Sequence, residues 1–127
     1  MLKIEDLHLH YGHITALRGV SLEVSKGEIV TLIGSNGAGK TSLLNAVSGL
    51  AAKAGGSVTF CGRDITQEKP ERIVQSGISH IPEDRHKHGL VLDFTLEDNM
   101  VLQRYFEPEF VNGAGFLKRK AIRAYAL

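Results

Sequence analysis

The sequence predicts an α/β protein in which an antiparallel sheet comes first and a strand, a glycine-rich loop and a helix follow. Three observations carry this reading. Period-two patterns at Leu2–Leu9 and Val20–Val24 indicate strands, and Ile29–Ile33 is an apolar, β-branched run. Leu43, Leu44, Val47 and Leu50 then recur at helical spacing beyond a loop rich in glycine. In chain order, the first two strands are separated by a loop containing Tyr11-Gly12, and Lys26-Gly27-Glu28 is a turn. Residues Ile29 to Ile33 suit a strand buried on both faces. Gly49 ends the first helix, Gly55-Gly56 breaks the chain, and Ser57–Cys61 is a further strand with its turn at Gly62-Arg63-Asp64. Pro70–Gln75 reads as a short helix opened by proline. Gly77–Pro82 reads as a second core strand, followed by a polar loop from Glu83 to Gly89. Thr95 is placed to cap a helix running through Met100 to Arg104, with Asp98 reaching back, and a last helix begins near Phe116.

Composition bounds the function. The chain has 127 residues, 43% apolar and 23% charged, enough for one domain with a core. Fifteen basic against 14 acidic residues leave a formal charge of +1, which excludes a broad electrostatic surface for nucleic acid. With Cys61 the only cysteine, no intrachain disulfide and no thiolate metal site can form, which fits a reducing cytoplasm. Neither a secretory signal pattern nor a membrane-spanning run is expected.

The motif G-x-x-x-x-G-K-[ST] is met by Gly34, Gly39, Lys40 and Thr41 within Gly34-Ser35-Asn36-Gly37-Ala38-Gly39-Lys40-Thr41. The chemistry explains each position. A polyphosphate needs many donors at close range, and Gly34, Gly37 and Gly39 remove side chains so that successive backbone N–H groups converge on it. The helix starting near Lys40 turns its positive end toward the same place. Lys40 adds a full charge at the β- and γ-phosphates, and the Thr41 hydroxyl is placed to ligate Mg²⁺. A Mg²⁺-bound polyphosphate is the expected ligand, and Ser42 completes the stretch.

Leu9-His10-Tyr11-Gly12, Gly19–Val24, Gly27-Glu28-Ile29 and the loop followed by Ser42-Leu43-Leu44 together resemble the ATP-binding-cassette (ABC) family of P-loop NTPases, over nearly the whole chain. Up to about His80 the chain is most similar to the ATPase subunits of branched-chain amino-acid importers. From about Ile81, Pro82-Glu83-Asp84-Arg85, Gly89–Leu92 and Asn99-Met100 look like the second cassette of sugar and nucleoside importers. The resemblance implies residues 1–127 as the N-terminal part of an ABC ATPase domain: an antiparallel β subdomain plus an incomplete parallel core sheet. It divides them into a phosphate loop at 34–41, a Q-loop region at about 81–89 and the start of a helical subdomain at about 95–127. It gives Tyr11 the role of adenine platform, and Glu83 the position of a glutamine that touches Mg²⁺. It also implies a membrane-spanning transporter subunit and a second cassette as partners, a place on the cytoplasmic face of the membrane, and import of a small solute such as an amino acid, sugar or nucleoside.

Other features count against a fully equipped enzyme. The chain contains neither a Leu-Ser-Gly-Gly-Gln loop nor four apolar residues followed by Asp-Glu, and the family's switch histidine would fall beyond Leu127. The nearest imitation of the acidic strand end is Val91-Leu92-Asp93-Phe94. In the family, the strand bearing the acidic pair lies between those matching Ile29–Ile33 and Gly77–Pro82. The resemblance therefore implies two core strands that are not direct neighbours, and a chain inactive alone. A GTPase is disfavoured because no asparagine is followed by lysine, and a small-molecule kinase because it would not require Tyr11; a non-catalytic, truncated or hybrid folding module stays open. His8, His10 and His13, like His80, Asp84, His86 and His88, are clusters read as solvated polar surface rather than metal sites. The basic run Lys118-Arg119-Lys120 with Arg123 reads as a solvated helix face.

Overall fold

The computed structural model describes residues 1–84 and 90–127, so the loop residues 85–89, including His86 and His88, lie outside the described residues. The chain forms two compact units, Met1–His80 and Ile81–Leu127. Strands β1 (Leu2–Tyr11), β2 (Ile14–Val24), β3 (Gly55–Phe60) and β4 (Arg63–Asp64) belong to the first, with helices α1 (Lys40–Val47) and α2 (Pro70–Gln75). Helices α3 (Leu96–Val101) and α4 (Arg119–Ala126) belong to the second.

The strands make one antiparallel sheet in the order β2-β1-β3-β4. Its central strand explains why the N-terminal alternation is patchy. Ile4, Leu7 and Leu9 are all buried, although the step from Ile4 to Leu7 is odd and would send one of them to the opposite face of a regular strand. A bulge corrects the phase: Ile4 pairs with Leu22 and Leu7 with Val20, three residues against two. The same slip occurs toward β3, where Glu5 pairs with Ser57 and His8 with Gly55. The extra residue is Asp6, which turns to φ 47°, and its backbone N–H donates to Ser21 Oγ at 3.0 Å. Gly56 on β3 makes room for it, since a Cβ there would stand 2.2 Å from the Asp6 carbonyl oxygen.

One face of the sheet packs on the helices. Ile4, Leu7, Leu9, Leu17 and Val58 share a core with Leu43, Ala46 and Val47 of α1, and with Ile65 and Ile73. Leu44 and Leu50, assigned by spacing to the apolar stripe, are exposed instead. Helix α2 has the predicted bounds and carries Pro70 in its first turn, with Ile73 buried.

The predicted parallel core strands are not formed. Residues 29–33 and 78–82 have no strand partner among the described residues, and Ile29 and Ile33 are more than nine-tenths exposed. A strand holds its shape through cross-strand bonds and packing, and an apolar β-branched run without a neighbour gains neither. The Ser25–Glu28 turn before it is well made: Glu28 N donates to Ser25 O at 3.1 Å, and Ser25 N to Glu28 Oε2 at 2.8 Å.

In the second unit Val101, Phe110 and Ile122 form a small separate core. Thr95 caps α3 as expected, accepting from Asp98 N at 3.2 Å while its hydroxyl donates to the Asp98 carboxylate at 2.7 Å. The helix ends at Val101, short of Arg104. The basic run is an exposed face, as expected, whose residues also find partners within the unit. Arg119 pairs with Asp98, Arg123 with Glu97 at 2.9 Å, and Lys118 Nζ donates to Pro108 O at 2.7 Å. No helix among the described residues is long and apolar enough to cross a membrane.

Candidate functional site

The glycine-rich loop leads directly into α1. Gly39 is the residue before the helix and stands at φ 93°, a left-handed conformation that a side chain disfavours. Space forbids a side chain there as well, because a Cβ on Gly39 would lie 2.9 Å from Ala16 O and 3.0 Å from Leu17 Cδ2. Close packing of the helix start on β2 thus fixes where the loop ends. No side chain caps α1. An α-helix offers no carbonyl to its first N–H groups, so those of Lys40, Thr41 and Ser42 are left for an external acceptor, with the helix dipole pointing the same way. The first carbonyl of the helix is used normally, Leu43 N donating to Gly39 O at 2.9 Å.

Lys40 reaches back over the loop, its Nζ donating to Gly34 O at 2.5 Å and Ser35 O at 2.8 Å. The ammonium therefore stands inside the loop. Thr41 and residues 34–38 are exposed, and Ser42 is half-buried. Uncapped helix donors, a cation within the loop and an accessible hydroxyl at Thr41 fit a Mg-polyphosphate: the N–H groups and Lys40 would hold phosphate oxygens, and Thr41 the metal.

Tyr11 is the last residue of β1 and is half exposed. It pairs with Ile14, while Leu9 pairs with Leu17, the residue against which Gly39 packs. At about 3.3 Å per residue, Tyr11 stands roughly 7 Å farther along the strand, at the end of the sheet that carries the loop. Glu83 is an exposed residue of the second unit, as is Asp93.

Two residues of the first histidine cluster make local bonds, whereas His86 and His88 of the second lie outside the described residues. His8 Nε2 lies 3.1 Å from Asp6 Oδ1, and His10 Nδ1 lies 3.1 Å from Thr15 Oγ1. Among the described residues no group of three metal-ligating side chains converges. Asn99, noted in the sequence only as part of a family-like stretch, is a residue whose structural part was missed. Its Oδ1 accepts from Val91 N at 2.8 Å, and its Nδ2 donates to the carbonyls of Val91, Phe94 and Thr95 at 3.0, 3.3 and 3.0 Å. The available hint was an asparagine one turn inside a helix, where its side chain can serve the preceding loop.

The profile of the family described as "ABC transporter" matches residues 17–125, and the chain belongs to that family. It is 38% identical over 127 residues to the nucleoside import ATP-binding protein NupA of Lactococcus lactis, covering 99% of this chain and 25% of that protein. It is 39% identical over 106 residues to the high-affinity branched-chain amino acid transport ATP-binding protein BraG of Pseudomonas aeruginosa, covering 84% of this chain and 44% of that one. Among solved structures it resembles the ATP-binding cassette MJ1267 in its ADP conformation, with TM-score 0.69 and 26% identity over 98% of this chain and 45% of that one. The dimeric cassette MJ0796 bound to ADP and Pi shares the fold, with TM-score 0.72 and 20% identity over 98% of this chain and 54% of that one. The chain thus spans about a quarter of NupA and under half of BraG.

Proposed function

We propose that this chain is the phosphate-binding part of the ATP-binding subunit of an importer, and that it holds Mg-ATP. The observation that carries the reading is the loop 34–39 ending on the uncapped N-terminus of α1, with Lys40 folded into it. Backbone donors at Gly37 to Ser42 hold the phosphates, Lys40 neutralises the β- and γ-oxygens, Thr41 ligates Mg²⁺ and Tyr11 stacks on adenine. The family resemblance supports Glu83 as a further Mg²⁺ ligand. The similarity to nucleoside and branched-chain amino acid import proteins supports a small polar solute as cargo, a membrane-spanning subunit and a second cassette as partners, and a cytoplasmic, membrane-peripheral location. Chemistry requires a base that activates water and a signature loop, which these residues do not contain, so the chain alone binds ATP without turning it over. A non-catalytic folding module is the second reading, and the unpaired run at 29–33 favours it.

Calorimetric titration with Mg-ATP tests the proposal. Lys40→Ala is expected to abolish measurable binding. Tyr11→Ala should weaken ATP and GTP alike by about 1–3 kcal/mol, because stacking is indifferent to the base edge. Unchanged affinity in Lys40→Ala moves the site elsewhere. Loss of ATP with GTP retained makes Tyr11 a base reader.

A further inference from the structure

The chain contains two Asn-Gly pairs, Asn36-Gly37 in the phosphate loop and Asn112-Gly113 in the second unit. A glycine after asparagine leaves the backbone nitrogen open to the side-chain amide carbon, the arrangement from which asparagine deamidates. Both pairs are exposed, and a Cβ on either glycine would meet nothing within 4 Å, so access does not separate them. Hydrogen bonding does. Asn112 Oδ1 accepts from Ala114 N at 3.0 Å and Phe116 N at 2.9 Å, its backbone N donates to Phe116 O at 2.9 Å, and its carbonyl accepts from Gly115 N at 3.0 Å. Among the described residues, the Asn36 side chain and the Gly37 N–H make no hydrogen bond, and a single backbone bond crosses their turn, Ala38 N donating to Ser35 O at 3.2 Å. We propose that Asn36-Gly37 is a modification site: the ligand-free phosphate loop deamidates itself there, and the product carries a carboxylate that opposes polyphosphate binding.

Rotation about the Asn36 Cα–C bond brings Gly37 N to Asn36 Cγ. Having lost its proton to hydroxide, that nitrogen forms a bond to Cγ, the Cγ–Nδ2 bond breaks, and ammonia leaves with a proton taken from water, closing a cyclic succinimide. Water then opens the ring. Cleavage of the bond to Cγ leaves aspartate, and cleavage of the bond to the Asn36 carbonyl carbon leaves isoaspartate, whose main chain runs through the side chain. The sum is hydrolysis of an amide, with water as the co-reactant, ammonia as the leaving group and no change of oxidation state. Either product sets a negative charge in the loop that is to receive phosphate oxygens, and like charges at short range repel. At Asn112 the same rotation has to break the local bonds first, which holds the reaction back by about tenfold or more. The effect on a polyphosphate rests on the reading of 34–41 as a phosphate loop, whereas the deamidation itself is measured with no ligand present.

The first experiment is incubation of the 127-residue chain at mildly alkaline pH without ligand, followed by peptide mass spectrometry and enzymatic methylation of isoaspartate. Asn36 should be converted at least about tenfold faster than Asn112, to aspartate and isoaspartate together. Equal rates, or aspartate alone, overturn the modification site. The second is calorimetry with inorganic pyrophosphate and Mg²⁺. The Asn36→Asp chain, which copies the product's charge, should bind at least about tenfold more weakly than the parent, and saturating Mg-pyrophosphate should slow conversion of Asn36 in the parent about threefold or more while leaving Asn112 unchanged. Equal affinity in Asn36→Asp overturns the inhibitory effect, and heat without protection of Asn36 overturns its link to the ligand. No heat with the parent removes the phosphate-loop reading and the inhibitory effect with it, an outcome distinct from failure of the deamidation, which the first experiment reads alone.

Discussion

Gly39 and Gly37 show how differently two glycines of one motif are constrained. Both have positive φ, 93° and 84°, so alanine at either meets the left-handed cost of roughly 1–2 kcal/mol. Only Gly39 is also crowded, by Ala16 O and Leu17 Cδ2, whereas a Cβ on Gly37 would meet nothing within 4 Å. Gly39→Ala should therefore destabilise the first unit more than Gly37→Ala, by about 1 kcal/mol or more beyond the shared backbone cost. Urea unfolding of the two variants checks the order. Equal losses would mean that the helix start does not press on β2.

At the scale of elements, α3 is held by what its side chains give to the loop before it. Asn99 satisfies the N–H and C=O of Val91 and two further carbonyls, and this ties residues 91–95 to the helix. Asn99→Ala is expected to cost about 1–3 kcal/mol, because the partly buried Val91 N–H loses its acceptor. Hydrogen exchange at Val91 should rise with it, and an unchanged rate would show that the loop is held by something else. Two carboxylates give the same unit an acid sensitivity. The Thr95 hydroxyl, with Arg119 behind it, holds Asp98 below the usual carboxylate range, and the Arg104 guanidinium does the same for Glu107. Carboxylates depressed by folding contribute stability that is present above their unfolded values, near 3.9 and 4.3, and lost as pH falls through the folded ones. The near-ultraviolet dichroism of Tyr105 and Tyr125 should thus be level from pH 7 to about 5 and decline below about 4. A decline already complete at pH 5 would point to another group.

For the whole molecule, the controlling feature is the apolar segment 29–33, which no strand among the described residues covers. Ile29 and Ile33 are 94% and 93% exposed, and unpaired β-branched backbone with apolar side chains is a template for association. Sedimentation velocity should show concentration-dependent self-association of the chain. The double variant Ile29→Lys, Ile33→Lys should reduce it strongly, since the charges oppose strand pairing. A parent that stays monomeric at about 100 µM would show that the segment is protected.

The sequence by itself determined the local parts of this protein. The glycine-rich loop that ends at the start of α1, the proline-opened α2, the Thr95 cap and the Lys26-Gly27 turn were legible because each depends on a few neighbouring residues with particular backbone needs. Family membership was legible too, because the motifs around the loop are dense enough to be specific. Tertiary structure alone decided the rest. The bulge at Asp6 brings Ile4, Leu7 and Leu9 onto one face, and its room comes from Gly56, fifty residues away in the chain. The basic run at 118–123 is solvated as its composition suggests, and only folding showed that Arg119 and Arg123 pair with Asp98 and Glu97. Ile29–Ile33 has every property of a buried strand except a neighbour, and pairing is a property of two segments that no single segment's composition can supply.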